Sequence, residues 1–191
     1  MTQSAILVHG WNTRRNHDRL DTPTMSNSHW FPWLTNRLMV QGIHTVAVEM
    51  PRSYYPVYED WKREFERFDI TPETILIGHS CGGGFLVRWL SEHDVKVDKV
   101  VLVAPWIGVR PEQDFDASFF EFEIDENLTR KTAGLTIFNS TDDNIVIQES
   151  VQALCATIKD VKLVEFESKG HFTRKSLGIE EFPELLEEVT A

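Results

Sequence analysis

The chain has 191 residues, 41% of them hydrophobic and 26% charged, which suits one globular domain over residues 1–191 rather than two domains or a disordered chain. Its 19 Lys and Arg against 30 Asp and Glu leave a net charge of −11, a field that repels phosphate backbones and argues against a nucleic-acid partner. Two cysteines, Cys81 and Cys155, make no disulfide framework. The start Met1-Thr2-Gln3-Ser4 has no basic leader, and no apolar run nears the ~18 residues of a membrane span, so a soluble cytoplasmic protein is expected.

In chain order, the first strand-like run is Ala5-Ile6-Leu7-Val8, followed by His9-Gly10-Trp11-Asn12. A long polar loop, 11–30, leads to a predicted helix over 33–40. A second apolar run, 45–48, and a helix-like segment, 59–68, precede the third run, Thr74-Ile75-Leu76-Ile77. Gly78-His79-Ser80-Cys81-Gly82 comes next, then a predicted helix over 83–92 and a fourth strand over 99–103. A second long segment, 106–130, is acidic and aromatic, with Phe115, Phe119, Phe120 and Phe122. The chain closes with strands over 135–138 and 161–166 and helices over 147–158 and 179–189. Strand runs that are continuously apolar, alternating with helices, predict a three-layer α/β/α sandwich on a mostly parallel sheet of about six strands. Both long segments follow strand C-termini, where such sheets place their ligands, and loops of that length are commonly functional.

The Gly-x-Ser-x-Gly pattern at 78–82 is weak alone, but here it sits between a strand and a helix, the context it needs. That tight turn would hold Ser80 in a strained conformation and present it above the strand ends. The helix N-terminus beneath it supplies free N–H groups, so Cys81 N–H is a candidate oxyanion donor. The Cys81 thiol itself reads as a small packing residue. A serine nucleophile needs a base and an acid to orient that base. In folds with this elbow they follow in the order serine, acid, histidine. Of the histidines, His93 reads as a helix-end cation, and His9 and His79 as local structure, which leaves His171, after Glu167-Ser168-Lys169-Gly170, as the base. The acid lies in Asn139-Ser140-Thr141-Asp142-Asp143-Asn144, where Asp142 and Asp143 compete and position does not choose. The loop after the first strand offers a second oxyanion donor, the N–H of Trp11 or Asn12. Trp106, Phe119, Phe120 and Phe122 are candidates to line the substrate pocket, with core packing as the competing role for the three phenylalanines.

Taken together, His9-Gly10-Trp11, Gly78-His79-Ser80-Cys81-Gly82-Gly83, Ser140-Thr141-Asp142-Asp143 and Gly170-His171-Phe172 resemble the small serine hydrolases that include a retinoblastoma-binding protein and many bacterial relatives. The resemblance spans nearly the whole chain. It implies a minimal α/β-hydrolase fold without a full cap domain, and it implies that the second aspartate of the pair, Asp143, is the catalytic acid. The 11–30 loop and the 106–130 segment depart from the pattern, so no substrate range is carried over. The expected function is cleavage of a carboxylic ester or related acyl bond in a small molecule through Ser80, His171 and Asp143, with no cofactor and no metal. The alternatives are a binding protein on a hydrolase scaffold and an acyltransferase using the same three residues.

Overall fold

The computed structural model describes residues 3–108 and 116–191; Phe115, part of the aromatic run noted above, lies outside them. Six parallel strands form one sheet in the order β2-β1-β3-β4-β5-β6. They are β1 (Ser4–Val8), β2 (His44–Val48), β3 (Thr74–His79), β4 (Val97–Val103), β5 (Thr132–Ser140) and β6 (Lys162–Phe166). Every predicted strand is present, and β4 and β5 start earlier than their apolar runs do. The central strands are buried almost throughout: β3 from end to end, β1 from Ala5 to Val8 and β4 from Val100 to Val103.

Among the described residues the helices are α1 (Arg14–His17), α2 (Phe31–Val40), α3 (Tyr58–Phe65), α4 (Cys81–Glu92) and α5 (Ile145–Thr157), which lie between strands, and α6 (Arg174–Leu177) and α7 (Pro183–Thr190), which follow β6. Side chains alternate across a strand, and that alternation sorts the helices into layers. On β3, Gly78 faces the backbone of Gly82 and Gly83 in α4, while His79 turns the other way, to Trp30 and Phe31 at the start of α2. On β5, Phe138 meets Phe182 at the head of α7, and Asn139 points oppositely and donates to Gln148 of α5 at 3.0 Å. Helices α2 and α7 therefore cover one face. Helices α4 and α5 cover the other, together with α3, whose Phe65 packs on Phe85 and Trp89 of α4. This is the three-layer sandwich of an α/β-hydrolase.

The helix predicted over 179–189 begins only at Pro183. Proline has no N–H and disfavours helical geometry in the residue before it, and Phe182 is extended at φ −141°. The long loops carry short helical turns. The first holds α1 and a 3-10 turn at Met25–Asn27, and the second holds 3-10 turns at Ala117–Phe120 and Leu128–Lys131. β1 connects outward to β2 and β3 then pairs on its other side, so the strand order reverses between β1 and β3. That is where open α/β sheets leave a crevice at the strand C-termini.

Candidate active site

Ser80 stands at this reversal. Its backbone is at φ 54°, ψ −122°, a region that costs a residue with a side chain roughly 1–3 kcal/mol. Three backbone hydrogen bonds hold it there: Ser80 N–H donates to Val103 O at 2.9 Å, and Ser80 O accepts from Gly84 N–H at 3.2 Å and Trp106 N–H at 3.0 Å. Two glycines make the turn sterically feasible. A Cβ on Gly82 would overlap the carbonyl oxygens of Val8 and His9, and one on Gly10 would stand 2.9 Å from Ser80 Cβ.

His171 follows β6, on a turn whose Gly170 has φ +49°. Its Nδ1–H donates to Asp143 Oδ2 at 2.8 Å, and Ser80 Oγ–H donates to its Nε2 at 3.0 Å. The Asp143 side chain is 3% exposed, and its other oxygen accepts from Asn144 N–H at 2.6 Å. The neighbouring aspartate does something else. Asp142 Oδ1 accepts from Ser140 Oγ–H at 2.6 Å and from Gly170 N–H at 2.8 Å, and these bonds hold its carboxyl below the usual range. The structure thus brings Ser80, His171 and Asp143 together and uses Asp142 to brace the histidine turn.

That turn is gripped along its length. Ser140 Oγ accepts from Lys169 N–H at 2.8 Å. His79 Nε2–H donates to His171 O at 2.9 Å, and Trp30 Nε1–H donates to Phe172 O at 3.1 Å. His29 Nδ1 accepts from Arg174 N–H at 3.1 Å. His79 is fully buried, and burial together with the nearby His171 and His29 rings pushes its pKa well down, so it is neutral. It therefore reads as a donor that ties the serine turn to the histidine turn. No pattern in the sequence signals these bonds, because each joins residues far apart in the chain.

Asn12 drops out as an oxyanion donor, because its N–H is already spent on Ser53 O at 3.0 Å. Trp11 N–H is left in that loop, together with Cys81 N–H in the first turn of α4, among the amides a helix leaves unbonded. His9 is buried with both ring nitrogens engaged: Nδ1–H donates to Gly10 O at 2.8 Å, and Nε2 accepts from Met50 N–H at 2.8 Å. It shapes the loop. Burial raises the Cys81 thiol well above its ordinary pKa, which disarms it as a nucleophile. His93 lies at the far end of α4, stacked on Trp89.

A cleft of about 400 Å³ opens at Ser80. Trp11, Trp106, Val146 and Ile147 line it together with Asp143, Asn144 and His171. Trp106 thus lines the cleft, while the three phenylalanines take the other role open to them, packing away from it. Phe119 is wholly buried between α3 and α4, edge-on to Trp61 at 5.2 Å. Phe120 packs behind Trp106 at 5.4 Å, and Phe122 lies under Arg88. The 3-10 turn Ala117–Phe120 sends Phe119 into the core, Phe120 and Phe122 pack partly buried against it, and the first turn of α5 lines the cleft instead. Asn144 caps that helix by accepting from Val146 N–H at 3.0 Å, which sets Val146 and Ile147 beside Asp143.

A family model described as serine hydrolase matches residues 5–191. The Bacillus subtilis hydrolase-like protein YdeN is 26% identical over 177 residues, covering 90% of this chain and 87% of that one. The serine hydrolase RBBP9 of Rattus norvegicus is 26% identical over 147 residues, covering 75% and 77%. The crystal structure of the B. subtilis ydeN gene product superposes with a TM-score of 0.83 at 24% identity, covering 99% of this chain and 97% of that one.

Proposed function

Since the chain belongs to the serine hydrolase family, we propose that it cleaves a carboxylic ester of a small uncharged acid, with Ser80 as nucleophile, His171 as base and Asp143 as the acid that orients it. What supports this reading above all is the hydrogen-bond chain from Ser80 Oγ to His171 to Asp143, at 3.0 and 2.8 Å, opening on a cleft. Asp143 fixes the tautomer, so Nε2 faces Ser80 as an acceptor. Ser80 Oγ bonds to the ester carbonyl carbon while its proton passes to His171 Nε2. The negative charge on the carbonyl oxygen is met by Cys81 N–H and Trp11 N–H, a contribution typically worth roughly a hundred- to a thousand-fold in rate per donor. The bond to the alcohol oxygen then breaks as His171 returns the proton to it, and water releases the acyl group by the same steps in reverse. Trp106, Val146 and Ile147 give the acyl cleft an apolar wall.

Among the described residues no helix is long and apolar enough to cross a membrane, and the free thiols of Cys81 and Cys155 suit a reducing compartment such as the cytoplasm. A fluorophosphonate probe tests the nucleophile. It is expected to label the wild type and to fail on Ser80→Ala and His171→Ala, which should also lose turnover of a butyrate ester. Labelling that survives in Ser80→Ala sinks the assignment. Turnover of no ester in a panel of acyl lengths favours a binding protein on this scaffold.

A further inference from the structure

A second and larger cavity, about 700 Å³, shares Trp11 with the cleft at Ser80. Its walls come from two pieces of chain. One is the long loop after β1, contributing Asn12, Asn16, Asn27, Ser28 and His29; the other is the stretch 174–180 on and after α6, contributing Arg174, Lys175 and Glu180. The partition is fixed. Trp11 Nε1–H donates to Tyr54 O at 3.2 Å, and Asn12 N–H to Ser53 O at 3.0 Å. The loop wall is anchored as well, since Glu49 accepts from Met25 N–H at 3.3 Å and Ser26 N–H at 2.8 Å.

His29 is the most constrained group in this wall. It holds φ 58°, a conformation non-glycine residues adopt at a cost. Its Nδ1 accepts from Arg174 N–H, so its proton is on Nε2. Burial, with the nearby His171 and His9, pushes its pKa down to about 4, so at neutral pH it is an uncharged N–H donor.

Resting on the ester-hydrolase reading, we propose that this groove seats the alcohol half of the substrate, and that this alcohol is uncharged and carries several hydroxyl groups, of the glycerol or sugar type. The direction follows from the proton transfer. The leaving oxygen must come within hydrogen-bond reach of His171 Nε2, so its substituent departs on the His171 side, and three residues further along the chain Arg174 enters the groove wall. Amide and hydroxyl side chains donate and accept at once, which matches hydroxyl groups. An apolar alcohol would strip water from them and return nothing. Charge on that wall is mixed, with Arg174 paired to Glu180 at 2.9 Å and Lys175 beside them, so an anionic alcohol that gains from Lys175 is opposed by Glu180 and by the net charge of −11.

The test compares kcat/KM for two esters with one acyl group, ethyl butyrate and glyceryl monobutyrate. The glyceryl ester is expected to be favoured at least about fivefold, the worth of roughly one net hydrogen bond. The double variant Asn16→Leu, Asn27→Leu is expected to lower that ratio at least about threefold. Both positions are exposed. As a readout without a variant, free glycerol should inhibit wild-type turnover competitively where ethanol at equal concentration does not. Turnover of ethyl butyrate with no glyceryl preference, or a ratio unchanged in the double variant, overturns the groove and leaves the hydrolase standing. Turnover of neither ester, with no fluorophosphonate labelling, overturns both.

Discussion

Adjacent aspartates with nearly identical sequence surroundings do different work because one peptide unit turns them apart. Asp143 is buried against His171, whereas Asp142 reaches across to the backbone of Gly170. Asp143→Asn should leave His171 without its anionic partner and in the wrong tautomer, lowering kcat by about a thousand- to ten-thousand-fold. Asp142→Ala only loosens the turn and should lower kcat at least about tenfold less than that. Steady-state kinetics on one ester separates them, and equal losses would contradict the division of roles. Motif order alone stopped at the pair, since either carboxylate satisfies the sequence of serine, acid and histidine. The resemblance to known hydrolases implies Asp143, and Asp143 is the aspartate that His171 Nδ1–H reaches.

Among the elements, the 3-10 turn Ala117–Phe120 most changes how the aromatic segment is read. A run of phenylalanines next to a site suggests a pocket wall, yet the turn drives Phe119 between α3 and α4, edge-on to Trp61 and Tyr58. Phe119→Ala should therefore cost about 3–5 kcal/mol of stability, measured by urea denaturation. Its acyl-length preference should match that of the wild type. A shifted preference at unchanged stability would return Phe119 to the pocket. The wall that does face Ser80 is the first turn of α5, positioned by the Asn144 cap.

Across the whole molecule, three histidines near the site are held neutral by burial: His9, His29 and His79. The unfolded chain takes up protons at such residues near pH 6.5, while folded His29 resists until about pH 4. Between those values the unfolded state binds more protons, so stability falls as the pH falls. His29 alone should remove about 2 kcal/mol between pH 7.5 and pH 5. Urea midpoints at the two pH values check this, and His29→Asn should show a smaller drop. Equal midpoints at both pH values would mean that the buried histidines do not titrate as described.

The sequence by itself determined the layered fold, the six strands, the turn at Ser80 and the positions of His171 and of the acidic pair. Those features are written in short-range signals, namely apolar runs of strand length and glycines where backbones must touch. Only the tertiary structure decided that the amide of Asn12 is spent on Ser53, that His79 and Trp30 grip the histidine turn, and that Val146 and Ile147 rather than the phenylalanines face Ser80. Each of these depends on which distant side chain or carbonyl arrives at a given point. That arrival is set by how helices and loops pack over the sheet, and no local pattern records it.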